Sequence, residues 1–426
     1  MARSIRAAAV QLRAHDRADF RASLDRIVDA VRAAAATADL VVLPEGTLPG
    51  YVLGDAPIDE REIAGAIDRL REVATRSRTV IVAGAAVAAQ GGVRNSALVI
   101  DADGALAGRA DKFFLWHFDR RWFARGEDLA PIATAIGVLG VFVCADGRIP
   151  TIARALVDRG AEVLVMPTAW VTSGRDPDAL ENVQADLLAR VRAYENGVPF
   201  VAANKCGSEL GMVAYCGKSQ IVDASGERLA IASQHDPETV AAQFEIAAAK
   251  PHRTPIRPIE RRASETRAPV RIAISFDALP ADIDDRLRLL DDRYALSPSD
   301  PQRLSALDRD VPLAHVEDGV VLDPAGLVAY RRAGYQLICW TTDLAAPWSE
   351  RIARARALEL RIYLVVFDRP RRRAFAVDPD GAILAGTFDG YRIAGFALDP
   401  RRTLQTLVAP GTDVAEGLER VSAILT

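Results

Sequence analysis

Between Ile5 and Ala224, short β-branched runs alternate with amphipathic stretches, and this alternation restricts the chain to a layered α/β architecture. The runs are IRAAAVQL, DLVVLPE, TVIVAGAAV, SALVIDA, AIGVLGVFVC, AEVLVMPTAW, VPFVAANK and KSQIVDA, all of strand length. Between them, residues 18–36, 59–76, 150–159 and 181–196 carry apolar side chains at helical spacing with charges opposite. DADG at 101–104 and DASG at 223–226 read as tight turns, because Asp bonds to its own backbone and Gly supplies positive φ. The sheets should therefore contain antiparallel hairpins.

At 426 residues the chain is too long for one ordinary domain. The stretch AAAKPHRTPIRPIERRASETRAP at 247–269 is Pro-punctuated, basic and without apolar period, which reads as a linker. Domains are expected at 1–262 and 268–426, the second a smaller α/β domain with strands RIAISF, YQLICW and RIYLVVF. That second segment looks like a decayed copy of part of the first. Residues 185–204 match 349–368 without a gap, Ala189, Arg190, Arg192, Ala193 and Glu195 falling on Ala353, Arg354, Arg356, Ala357 and Glu359. Aligning Asp146-Gly147 with Asp318-Gly319 sets Val316 opposite Cys144.

A net charge of −4 leaves no basic footprint for nucleic acid or an anionic membrane. The longest uncharged apolar run, TVIVAGAAVAA at 79–89, is about half of a membrane span. The N-terminus has no signal-peptide core, so the expected location is cytoplasmic and the expected partner a small molecule. Cys144, Cys206, Cys216 and Cys339 show no CxxC spacing, and His15, His117, His235, His252 and His315 no metal-ligand spacing. No metal is expected, and homo-oligomerisation is left open.

Three reactive side chains fall at or just after expected strands. Glu45 follows LVVLP, Lys112 stands before Phe113, Phe114 and Trp116, and Cys144 ends VLGVFVC ahead of an expected helix. A thiol on a strand-to-helix turn near a cation is the setting that makes thiolate available. Each has an ordinary reading too: a solvated carboxylate, a snorkelling lysine, a small core cysteine.

In this order and spacing they resemble the nitrilase superfamily of carbon–nitrogen hydrolases. The glutamate motif appears as LPEGTLPGY, the lysine motif as DKFFLWHF, and the cysteine motif as VFVCADGRIPTIARALVDRGAEVLVMPTAW. VRNSALVIDADG, ARVRAYENGVPFVAANKCG and YCGKSQIVDASGE extend the likeness over residues 4–248. The resemblance implies a four-layer αββα sandwich and a small amide, carbamoyl or nitrile substrate. It makes Glu45 the general base, Lys112 the electrostatic stabiliser and Cys144 the nucleophile, with no cofactor. The backbone N–H of Ala145 would complete an oxyanion site with Lys112. A second active-site glutamate of the family falls on Asp119, seven residues before Gly126, and the glutamate usual after the proline of the cysteine motif is Thr151. Tyr51, Phe114, Trp116, Thr168 and Trp170 are the pocket candidates. The leading expectation is an amidase working through a thioester; a nitrilase, and a non-catalytic scaffold on the same fold, are its rivals.

Overall fold

The structure, a computed structural model, describes residues 3–173, 175–246, 249, 258–262, 268–388 and 390–425. The chain divides into two compact units, Met1–Pro251 with Ala409–Thr412 and Arg420–Thr426, and His252–Val408 with Asp413–Glu419. The C-terminal stretch, expected whole within 268–426, is thus shared between the units. The stretch read as a linker lies for the most part outside the described residues.

The first unit runs β1 (Arg3–Arg13), α1 (Phe20–Ala35), β2 (Leu40–Val42), α2 (Glu60–Ser77), β3 (Val80–Ala89), β4 (Gly92–Ile100) and β5 (Leu106–Asp111). It continues with β6 (Ile132–Thr134), β7 (Gly137–Val141), α3 (Pro150–Asp158), β8 (Val163–Pro167), α4 (Ala189–Asn196) and β9 (Phe200–Ala203). β10 (Lys205–Glu209), β11 (Val213–Cys216), β12 (Gln220–Val222), β13 (Arg228–Ile231) and β14 (Glu238–Ile246) complete it. One sheet has the order β11-β10-β1-β2-β3-β4-β5, with β14 antiparallel to β1, and the other the order β13-β12-β9-β8-β7-β6.

Strand alternation decides the layers. Val10, Val41 and Ile81 point one way and join Ile27, Val28 and Val31 of α1 and Leu70 and Val73 of α2 in one buried cluster. On the opposite face β2 and β3 meet β8 of the second sheet, whose outer side carries α3 and α4. The result is the expected αββα sandwich. Asp59 caps α2 through the N–H groups of Arg61 and Glu62. Both Asp–Gly turns form: Gly104 N–H donates to Asp101 O between β4 and β5, and the Asp223 carboxylate accepts from Ser225 and Glu227 N–H between β12 and β13.

The second unit begins β15 (Val270–Ile274), α5 (Ile283–Leu290), β16 (Tyr294–Leu296), α6 (Pro301–Asp308), β17 (Leu313–Val316), α7 (Asp318–Leu322) and α8 (Pro324–Arg332). β18 (Leu337–Thr342), α9 (Trp348–Leu360), β19 (Tyr363–Asp368), β20 (Arg373–Val377), β21 (Ile383–Gly386) and β22 (Ala394–Leu398) follow. Its larger sheet has the order β17-β18-β19-β20-β21, three parallel strands and then two antiparallel, which is the order and sense of β7-β8-β9-β12-β13. The likeness reaches single bonds. Arg192 pairs with Glu195 in the core and donates from Nε to Gly147 O, while Arg356 pairs with Glu359 and donates from Nε to Val321 O.

Strand register corrects the alignment read from sequence. Leu139 pairs with Val163 and Leu164 with Phe200, as Leu313 pairs with Leu337 and Ile338 with Leu364. Pro150 opens α3 as Pro324 opens α8. Between these fixed points the residue opposite Cys144 is Asp318, not Val316. Between β16 and β17 the described residues hold only α6, so the second unit has no counterpart of β3–β5, the strands that lead to Lys112.

Candidate active site

β2 ends at Val42, and Leu43-Pro44 carry the chain to Glu45 against β3. A Cβ on Gly84 would lie 2.3 Å from Pro44 O and 2.6 Å from Glu45 Cα, so only glycine lets this turn close on the sheet. Glu45 is fully buried. Its Oε1 accepts from Lys112 Nζ at 2.7 Å and from Asn95 Nδ2 at 2.7 Å, while Oε2 has no hydrogen-bond partner.

Lys112 follows β5 and is equally buried, its Nζ also 2.6 Å from Asp119 Oδ2. Burial alone would lower its pKa, but Asp119 and then Glu45 hold it well above the ordinary lysine value. Asp119 is itself fixed by Tyr51 Oη–H at 2.8 Å and Trp116 N–H at 2.8 Å. One ammonium therefore sits between two carboxylates. The structure places Asp119 where the second carboxylate was expected, reached by a short side chain on the 3₁₀ turn His117–Arg121.

Cys144 begins a 3₁₀ turn, Cys144–Arg148, that leads into α3, and its φ of 46° puts a non-glycine residue in the left-handed region. Such a conformation costs of order 1–3 kcal/mol and persists only where its surroundings enforce it. Asp146 is the enforcing group: its carboxylate accepts from Val143, Phe113 and Phe114 N–H at 2.9, 3.1 and 2.6 Å, tying the cysteine turn to the lysine loop. Burial pushes Asp146 up to about 7 against those bonds. Burial, and next the Glu45 carboxylate, push the Cys144 thiol well up; Lys112, the Thr168 side chain and the Ala169 backbone pull the other way.

A cavity of about 240 Å³ opens on Cys144, lined by Tyr51, Trp116, Ala145, Arg148, Trp170, Gln184 and neighbours. Of the pocket candidates, Tyr51, Trp116 and Trp170 line it, together with Ala145. Thr168 is fully buried beside the thiol, and Phe114 is buried, its N–H spent on Asp146 and its side chain not among the cavity residues. Asn95, Asp146 and Arg148 are the residues that sequence reasoning passed over. All three stand inside the motifs VRNSALV and VFVCADGR, where Asp146 serves in the sequence reading only to anchor the repeat alignment.

Among the described residues no group of three or more His, Cys, Asp or Glu is arranged to hold a metal, and no helix is long and apolar enough to cross a membrane.

The carbon–nitrogen hydrolase family profile matches residues 6–253, and the chain belongs to that family. It is 28% identical over 221 residues to a probable nitrilase of Schizosaccharomyces pombe, covering 50% of this chain and 78% of that protein. It is 30% identical over 223 residues to an (R)-stereoselective amidase of a Pseudomonas species, covering 52% and 78%. Among solved structures it resembles a mutant amidase of Nesterenkonia sp. with the acetamide moiety of fluoroacetamide added at its active site cysteine. The TM-score there is 0.51 and the identity 26%, over 56% of this chain and 90% of that one.

Proposed function

We propose that this carbon–nitrogen hydrolase cleaves a small amide or carbamoyl compound through a thioester on Cys144. The observation that carries the reading is the buried constellation of Glu45, Lys112 and Asp119 behind a thiol that lines a cavity. A thiol this buried does not ionise alone. Glu45 Oε2, the one carboxylate oxygen of the set without a partner, takes its proton as Sγ bonds to the carbonyl carbon. That transfer leaves the buried net charge unchanged, which is why it can proceed where ionisation to solvent cannot.

As the tetrahedral centre forms, the carbonyl π pair moves onto oxygen, and the Lys112 ammonium with the Ala145 N–H stabilises it. The carbon–nitrogen bond then breaks, nitrogen taking the proton held by Glu45, and ammonia or an amine leaves. Water repeats the sequence on the thioester: Glu45 accepts a proton, the carbon–sulfur bond breaks, and the acid and thiol are restored. Lys112 is fixed between two carboxylates before substrate arrives, so its charge needs no reorganisation.

The same set can add Sγ to a C≡N carbon, and a relative named as a probable nitrilase gives that reading its support. Ammonia release by wild type and Cys144→Ala, across amides, carbamoyl amines and nitriles, tests both. Release that survives the alanine substitution refutes the mechanism.

A further inference from the structure

Arg148 ends the turn that begins at Cys144 and lines the cavity one short helical turn from the nucleophile. Its guanidinium lies over the Trp116 ring at 4.5 Å from the centroid. Stacking occupies the face of the guanidinium and leaves its in-plane N–H donors free. No carboxylate lines the cavity among the described residues, and Arg148 Nε is buried without an acceptor. Trp170 Nε1, a second donor in the same wall, is also buried and unpartnered. A cation and an indole N–H in the wall of one small cavity, with the Gln184 amide oxygen as the unpartnered acceptor there and no carboxylate, form a site whose charge is left unbalanced.

We propose that the substrate carries a carboxylate remote from the scissile carbonyl, and that Arg148 receives it with Trp170 as second donor. The inference rests on the hydrolase reading and narrows it. A carboxylate offers two oxygens in the geometry of the guanidinium fork, whereas a cationic amine would meet a like charge. A cavity of about 240 Å³ with Arg148 so near Cys144 fits a carboxylate only a few bonds from the reacting carbon. The carboxylate can sit on the acyl side, as in an ω-amido acid, or on the amine side, as in an N-carbamoyl amino acid.

Two matched pairs separate these: succinamate against its neutral isostere succinamide, and N-carbamoyl-β-alanine against its neutral amide. Calorimetry on Cys144→Ala protein reads binding without turnover. At least one anionic member should bind about 10- to 100-fold more tightly than its neutral partner, the worth of one charge-assisted hydrogen-bonded contact. That advantage should vanish in Cys144→Ala/Arg148→Gln and be kept in part by Cys144→Ala/Arg148→Lys. In the Cys144-containing protein, the ratio of kcat/KM values within the pair should fall by a similar factor on Arg148→Gln. Equal or tighter binding of both neutral members, or no binding of any, overturns the inference. An anion preference in binding without Cys144-dependent turnover supports the anion site while refuting the hydrolase reading.

Discussion

Replacing Asp119 by Asn tests the electrostatic frame with almost no change of shape. The carboxylate takes three hydrogen bonds, from Lys112, Trp116 N–H and Tyr51 Oη–H. An amide facing its oxygen to Lys112 and Trp116 keeps two of them at reduced strength and turns an N–H toward the tyrosine. The ion pair is lost in any orientation. At 2.6 Å and an effective dielectric of 20, the Coulomb term is about 6 kcal/mol, and breaking a buried pair costs about 3–5 kcal/mol after relaxation. At roughly 2 °C per kcal/mol for a unit of this size, Tm should fall by about 6–10 °C.

The kinetic effect follows from charge. With Asp119 neutral, the single Lys112 cation pairs with Glu45 alone, which makes Glu45 a weaker base for the Cys144 proton. If about 2 kcal/mol of the lost pairing reaches the transition state, kcat falls roughly 30-fold. The assay is ammonia release under saturating amide, at a temperature well below the lowered Tm, with circular dichroism confirming the fold. Asp119→Glu, which restores charge at the cost of reach, should recover part of both losses. An Asn variant with wild-type kcat and Tm would refute the argument that the second carboxylate holds Lys112.

Other expectations follow from neighbouring groups. Burial, with Lys205 next, lowers His15 to about 4, so the folded state keeps it neutral while the unfolded chain protonates near 6.5. Stability should therefore drop as pH falls from 6.5 towards 4, by about 3 kcal/mol at most, and thermal melts of His15→Gln should lose most of that slope. The Thr412 hydroxyl accepts from His117 N–H at 2.7 Å, and Arg420 lies over the Phe113 ring, so C-terminal residues of the first unit brace the loop that carries Lys112, Trp116 and Asp119. A fragment of residues 1–262 should lose at least tenfold in kcat, and Thr412→Val less, by steady-state assay. All four cysteines are buried, and Cys144 lines a cavity that it shares with Arg148, so iodoacetamide should label it first, and faster as pH rises.

The layers and the candidate trio Glu45, Lys112 and Cys144 were legible because each lies in or beside a strong strand or motif signature. Runs such as DLVVLPE and AEVLVMPTAW are buried on both faces and read as strands from composition alone. The strands absent from the sequence reading carry weak patterns: β5 (LAGRAD) is part charged and half exposed, β13 (RLAI) is exposed on alternate residues, and β14, which pairs with Arg3–Gln11 of β1, buries only Phe244 and Ile246. Glu45, Lys112 and Cys144 were found through motif order. Asn95 could not be, because its role is a bond to a residue 50 positions away. Asp146 entered only as an anchor of the repeat alignment, because its bonds to Phe113 and Phe114 join residues 33 and 32 positions apart. The repeat was visible through its helix, yet its register depended on strand pairing, which sequence similarity this faint does not carry. Asp318 then explains what the second unit keeps: its carboxylate accepts from Trp340 Nε1–H and Asp343 N–H, so the position of the nucleophile holds a satisfied structural group.

The most direct test of the central claim is mass spectrometry of acid-quenched protein during turnover of an amide it hydrolyses. The account predicts that the peptide containing Cys144 carries the acyl group, that the adduct is absent in Cys144→Ala, and that ammonia release disappears with it. Ammonia release at the wild-type rate in the alanine variant, or an acyl group on any other residue, would contradict it.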